Sequence, residues 1–427
     1  MSTVTADTLA TVAPERGFWT RERTIGTVLL ALGATAAVLF GSLANAQSAR
    51  FTLSEDAAGA ALSVNGVLGA IVFGVIAAGA GATLLAGVDK RWFGLLLGVG
   101  LVGLVVSFLC WQISSARPGL NYLPLVDVAR GTFNLALPLI FGALGGVLCE
   151  RSGVINVAIE GQLLMGAFSG ALIGTIAASA WIGLLGAALG GLLISAILAF
   201  LAIRYLVDQV VLGIVLNLLA VGLTGFLYER LMQTNQPGYN QPPRFPEWQI
   251  PLLHKIPVIG PVLFHANIFL YLALGLVILI QFGLFYTRWG LRTRSVGEHP
   301  TAADTVGVRV RGVRYRNVLL GGVVAGIGGA FYTLALVSQF TKNMIGGKGF
   351  IALAAMIFGR WSPTGALLAA LFFGFADKLA TFLGSIGSDI PSQFLAMVPY
   401  LATILAVAGL VGRVRAPAAD GKPYVKG

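Results

Sequence analysis

The sequence predicts an all-α polytopic membrane protein with about ten to twelve transmembrane helices, some of them broken or half-length. Composition is the first observation behind that class. Hydrophobic residues make up 57% of the chain and charged residues 11%, where a soluble domain carries about 25% charge. The mean hydropathy of +0.86 leaves no room for a separate soluble domain of ordinary size. Second, apolar runs of about 20 residues recur, each long enough to cross a bilayer. Third, the 57 glycines suit helices that approach closely in lipid, where small residues let backbones touch. A net charge of +11 raises nucleic acid as a partner. The arginines gather at span ends, however, so the positive-inside effect accounts for them and no nucleic-acid partner is expected. Cys110 and Cys149 lie in apolar runs, build neither a disulfide framework nor a metal motif, and read as packing residues.

The first 24 residues are polar, with Arg16, Arg21 and Arg23 close to the first apolar run. That run, 25–44, is long enough to span. Ala44-Asn45-Ala46 resembles a signal-peptidase site, but the run is longer than a usual signal core and favours a retained helix. Runs 62–87 and 92–113 follow, and a polar link through Arg117, Pro118 and Asp127 closes an N-terminal transmembrane region, 25–130. A core at 131–411 then opens with spans 131–149, 153–176, 181–203 and 210–228. Segment 229–265 is too polar for lipid and too rich in proline for a long helix, so it reads as an external loop over the mouth of the protein. Span 268–286 leads to the basic connector 288–316, and span 317–337 leaves it. After the flexible link 341–349, the apolar stretch 350–358 is too short to cross and reads as a half-helix. Spans 365–383 and 394–411 and a tail at 412–427 complete the chain. Lys90, Arg91, Arg151, Arg204, the connector, Arg360 and the tail fall on one side of this layout, which places both termini and the connector in the cytosol.

Within the connector, Pro300 suits a first helical position and Gly307 a left-handed stop. The roughly two turns between them are too short to be stable alone. Ala302 and Ala303 give this helix a thin side, and the expectation is that it docks on a partner protein and transmits force into the membrane. Glu160 is the sharpest candidate inside the membrane. In a span beginning near Gly153 it lies about 10 Å deep, with Asn156 on the same helix face and Gln162 close by. Gly153, Gly161 and Gly166 allow the helix to break, as at substrate sites of transporters. Two readings stay open: Glu160 belongs to a substrate pathway, or it pairs with Arg151 or caps a nearby helix. Asn217 likewise fits either a polar solute or an interhelical hydrogen bond. Asp377 and Lys378 are adjacent, so they point apart and are no natural pair. His254, His265 and His299 fall in links, and no catalytic or metal motif is present, including Walker A. A transport role leads, with any ATP hydrolysed by another chain.

The stretch from Gly145 to Gln162, G-G-V-L-C-E-R-S-G-V-I-N-V-A-I-E-G-Q, resembles a segment of the binding-protein-dependent ABC importer permeases for ribose, branched-chain amino acids and nucleosides. Within that family, S-V-G-E-H-P-T-A-A-D-T-V-G at 295–307, G-F-I-A-L-A-A-M-I-F-G-R-W at 349–361, I-P-S-Q-F at 390–394 and G-K-P-Y at 421–424 are similar to the nucleoside-importer branch. The resemblance runs from about Thr132 onward and leaves the N-terminal region outside it. It implies a type II-like permease fold in a bacterial inner membrane. It also implies a second related permease, a cytosolic ABC ATPase that holds ATP and Mg, and an extracytoplasmic substrate-binding lipoprotein. This chain itself would bind lipid but no cofactor. The coupling helix is implied at 298–307, with Gly297, Glu298, Pro300, Ala302, Ala303, Asp304 and Gly307 at the ATPase contact. Asn156, Glu160, Gln162 and Asn217 are the pathway candidates. Within the same importer class, a ribose-like sugar is the alternative substrate. Two functions outside that class also stay open: an ion-coupled carrier with Glu160 as proton site, and a non-transporting membrane scaffold.

Overall fold

Ten helices among the described residues are long and apolar enough to cross a membrane. The structure, a computed structural model, describes residues 20–53, 60–117, 119–388, 390–391, 393–394, 397–398, 400–401 and 415–426. Most of the expected span 394–411, Ser392 of the I-P-S-Q-F motif, the first 19 residues and positions 412–414 lie outside them. The chain divides into two compact units, 1–125 with 383–389, and 126–382 with 390–427.

The first unit holds helices α1 (Arg21–Leu43), α2 (Gly66–Ala86) and α3 (Lys90–Ser114) and strands β1 (Ser48–Thr52), β2 (Ala61–Asn65) and β3 (Tyr122–Pro124). Thr20 starts α1 by accepting from the Arg23 N–H, and Asn65 starts α2 by accepting from Leu68 N–H. The sequence reads 62–87 as one span, but its first residues are strand. Leu62 and Val64 alternate with Ser63 and Asn65, a period of two, and pair antiparallel with β1. On its other edge β1 pairs parallel with β3, in register Arg50 with Tyr122. Phe40 stacks on Trp111 at 5.0 Å, and Ser107 Oγ donates to the Ala70 carbonyl at 2.7 Å, joining the helices.

The second unit is built around α4 (Leu125–Glu150), the most enclosed of the ten spans. Helices α5 (Ile159–Ile176), α6 (Ala180–Ala199), α7 (Gln209–Leu227), α10 (Ile268–Tyr286), α13 (Val310–Phe331) and α15 (Pro363–Ser385) supply the others. Short helices α8 (Gln236–Tyr239) and α9 (Ile259–Leu263) and strand β4 (Trp248–Gln249) lie in the 229–265 segment, and β4 pairs with β5 (His265–Ala266) at its end. Asn240 pins that segment: its Oδ1 accepts from Phe340 N–H at 2.7 Å and its Nδ2 donates to the Phe340 carbonyl at 3.0 Å. The connector holds α11 (Arg288–Glu298) and α12 (Pro300–Thr305), and the stretch read as a half-helix is α14 (Lys348–Phe358), 11 residues long. Phe141, Phe269 and Phe331 meet edge to face in the core.

Two boundaries move. The span expected from 153 becomes helical only at Ile159, because 151–158 is a turn in which Glu150 accepts the Asn156 N–H. The span expected from 317 starts at Val310, so the end of the basic connector is the first part of α13. Close approach sets the packing of α5, α6 and α13. A Cβ on Gly329 would lie 1.9 Å from the Leu163 carbonyl oxygen, and one on Gly191 2.1 Å from that of Gly322. Gly222 on α7 faces open space. Gly329→Val therefore costs at least about 1–3 kcal/mol by overpacking and lowers the unfolding temperature of the purified protein. Gly222→Ala leaves that temperature unchanged or slightly higher; equal losses at both positions would refute the close-packed crossing.

Candidate functional site: a buried polar joint and a short connector helix

The joint begins where α4 ends. Glu150 is buried, its Oε2 accepting from Trp361 Nε1 at 2.6 Å and its Oε1 from Asn156 N at 3.4 Å. Asn156 and Gln162 are fully buried and exchange amide hydrogen bonds, 3.1 Å in each direction. Gln162 Nε2 also donates to Ser195 Oγ on α6 at 2.8 Å. Asn217 on α7 accepts from Gly161 N at 2.8 Å and donates to the Val157 carbonyl at 2.9 Å. Its side chain thus closes the turn before α5, which is the interhelical bond of the two readings. The four pathway candidates from the sequence come together within this joint, and each has partners inside the protein.

Glu160 occupies the first turn of α5. Asn156 precedes the helix, so the two do not share a helix face as the sequence suggested. The Glu160 carboxylate accepts from Gly347 N at 2.8 Å and Gly349 N at 2.6 Å, where α14 starts. Those N–H groups have no partner within their own helix, and a negative charge there also complements the helix dipole. Of the structural options, the cap is found and the pair with Arg151 is not: Arg151 Nε donates instead to the Trp361 carbonyl at 2.8 Å. No side chain fits between the elements, since a Cβ on Gly349 would fall 2.4 Å from the Glu160 backbone N. Asp377 and Lys378 do point apart, pairing with Lys348 and with Asp127 respectively. Glu150, Ser195, Lys348 and Trp361 were not singled out from sequence. Glu150 and Trp361 lie within the family-like stretches 145–162 and 349–361, whereas Ser195 carries no signal in the sequence.

In the connector, Thr287 caps α11 by accepting from Gly290 N at 3.2 Å. Trp289 donates to Asn317 Oδ1 at 3.1 Å, and Asn317 donates to Thr293 Oγ1 at 3.0 Å, which locks α11 to α13. Pro300 sits in the first turn of α12, and Gly307 is left-handed with φ of +83°, as its sequence position predicts. The thin face proposed from Ala302 and Ala303 does not exist as one face. Successive helical residues point about 100° apart; Ala302 is exposed, while Ala303 is buried beside Val296, Val310, Val313 and Tyr424. Gly297 is also buried, and a Cβ there would lie 2.3 Å from the Arg151 carbonyl oxygen. Glu298 and Gly307 are exposed, and Pro300 and Asp304 are half-buried. The outward surface of α12 is thus Thr301, Ala302 and Thr305, continued by Val306 at 78% exposure.

Replacing Glu160 separates the cap from mere charge burial. Glu160→Ala leaves two N–H groups at the start of α14 unpaired, at about 1–3 kcal/mol each, whereas Glu160→Gln keeps one acceptor and loses less. Thermal unfolding in detergent checks this; equal losses for Ala and Gln would contradict the cap.

Comparison with known proteins fits these elements. Residues 129–410 match the family described as branched-chain amino acid transport system / permease component. The chain is 44% identical over 310 residues to the guanosine ABC transporter permease protein NupQ of Bacillus subtilis, covering 70% of this chain and 97% of NupQ. It is 44% identical over 298 residues to the nucleoside ABC transporter permease protein NupC of Lactococcus lactis, covering 68% of this chain and 93% of NupC. A second Bacillus subtilis protein, the guanosine ABC transporter permease protein NupP, is 25% identical over 338 residues, covering 75% of this chain and 96% of NupP. No solved structure matches. The family match over most of the chain, together with the ten spans, makes this protein a member of the branched-chain amino acid transport system permease family, a multi-pass membrane permease subunit of an ABC importer rather than an enzyme.

Proposed function

We propose that this chain imports nucleosides as one of two related permeases driven by a separate cytosolic ATPase. The likeness to the guanosine and nucleoside permeases, which extends over nearly their whole length, carries the substrate class. That a second guanosine permease of the same Bacillus also matches supports a pair of related permeases. The positive-inside pattern supports a bacterial inner-membrane location with both termini and the connector in the cytosol.

In this account Thr301, Ala302, Thr305 and Val306 of the exposed connector surface meet the ATPase, which binds ATP and Mg. A substrate-binding lipoprotein delivers nucleoside on the outer side. ATP binding draws the ATPase halves together, α12 moves, and the permease pair opens to the delivered substrate. Asn156, Glu160, Gln162 and Asn217 line or brace the path, because polar groups inside a bundle are retained where a cavity or a joint needs them. With ATP as the energy source, Glu160 has no proton to carry.

The test is uptake of radiolabelled guanosine by cells holding every component, comparing wild type with Ala302→Arg and Ala302→Ser. We expect Ala302→Arg to cut uptake at least about tenfold, about 1.4 kcal/mol of lost coupling, with normal membrane levels, and Ala302→Ser to resemble wild type. Uptake survives collapse of the proton gradient but not removal of the ATPase. Full uptake by Ala302→Arg would remove α12 from the docking role. Uptake that follows the proton gradient would favour an ion-coupled carrier.

A further inference from the structure

The segment 417–424 touches the connector and the polar joint at the same time. Ala419 N donates to the Gly297 carbonyl at 2.8 Å, and Ala418 N donates to Glu298 Oε2 at 3.2 Å, so the segment is bonded to the end of α11. Tyr424 is buried against Val296, Ala303, Val310 and Val313, and its phenol lies beside Asp304 of α12. Arg314 of α13 donates to the Lys422 carbonyl at 3.0 Å. On the other side, the Ala419 carbonyl oxygen lies 3.1 Å from where a Gly153 Cβ would stand, and Gly421 with φ of +73° lies against Ile155. Asp420 sits beside Glu150, the residue that holds Asn156 N–H and Trp361.

A continuous line of contacts therefore runs from α12 through Tyr424 and Asp420 to Glu150, Asn156, Gln162 and Ser195. A six-residue helix has little stability of its own. Whatever surface it is buried on decides what moves when it is pushed. We propose that segment 417–424 is a strap that makes the connector helix and the polar joint move as one body, with Tyr424 and Asp420 as its positioning residues. The strap rests on the reading of α12 as the ATPase contact.

Chemistry at the strap also gives it a pH signature. Burial pushes the Asp420 carboxyl up to about 7, against the opposing pull of the neighbouring Glu150, the Gly421 N–H and the Arg314 charge. Glu150 and Cys149 from α4 and Arg314 from α13 are the titratable groups that face it. A raised carboxyl binds its proton more tightly in the folded protein. The strap is therefore firmest while that proton is held and loosens as pH rises through about 7.

The experiment uses the complete importer in vesicles, reading ATP hydrolysis and radiolabelled guanosine uptake from the same sample. Tyr424→Ala is expected to lose at least about tenfold in uptake per ATP while the ATPase still co-purifies and still hydrolyses ATP. Tyr424→Phe keeps the ring and recovers most of the coupling. In wild type the uptake per ATP falls between pH 6 and pH 8, taken as about one unit on either side of the raised value, and Asp420→Asn flattens that fall. Unchanged coupling in Tyr424→Ala, or loss of the ATPase from its complex, overturns the strap. A pH profile of Asp420→Asn identical to wild type overturns it too, and decides the matter if Tyr424→Ala fails to fold. Full coupling in Ala302→Arg would instead fail the docking reading, whatever the strap variants do.

Discussion

A carboxylate enclosed by apolar helices has to find donors inside the protein, and Glu160 finds two at the start of α14. Both sides gain from the arrangement. The first N–H groups of a helix have no carbonyl to bond within their own helix, and α14, at 11 residues, is too short to reach a membrane surface at both ends. Its start would otherwise lie among apolar side chains with donors unpaired. Gly349 makes the contact possible because a Cβ there would strike the Glu160 backbone. Lys348 adds a second tie, to Asp377 on α15. Half-helix, acid and glycine therefore form one unit.

The same economy runs through the rest of the joint. Asn217 uses its amide to satisfy backbone groups of the turn and of the start of α5, while Asn156 and Gln162 satisfy each other's amides within it. A turn of this kind inside a membrane protein is tolerated only where its polar groups are satisfied by protein or by a water-lined cavity. Around it, α5, α6 and α13 approach so closely that glycine carbonyls nearly touch neighbouring backbones. Dense apolar packing outside and saturated polar contacts inside leave the joint few independent ways to move. Motion has to enter from its ends, and the connector side is where the buried faces of Gly297, Ala303 and Tyr424 converge.

Much of this was legible in the residues. The runs of apolar length, the proline start and glycine stop of α12, and the short stretch that became α14 all follow from local chemistry. The apolar run 268–286 coincides with α10, whose ends are fixed by Asn267 capping it and Thr287 capping α11. Other features depend on partners distant in sequence. Periodicity cannot show that Glu160 bonds Gly347 and Gly349, nearly 190 positions away, nor that Ala303 faces Tyr424 instead of solvent. The start of α5 was misplaced because residues 153–158 are apolar enough to pass for helix, while Glu150 binding the Asn156 N–H decides otherwise. The sheet of β1, β2 and β3 was missed since its strands are short and one of them merges with an apolar span.

Hydrogen exchange at the Gly347 and Gly349 amides tests the central claim most directly. If the Glu160 carboxylate holds the start of α14, both amides are protected in the wild-type protein and exchange freely in Glu160→Ala, while the amides in the middle of α14 change far less. Equal protection in the two proteins would mean that something else holds the half-helix, and the joint would lose its organising contact.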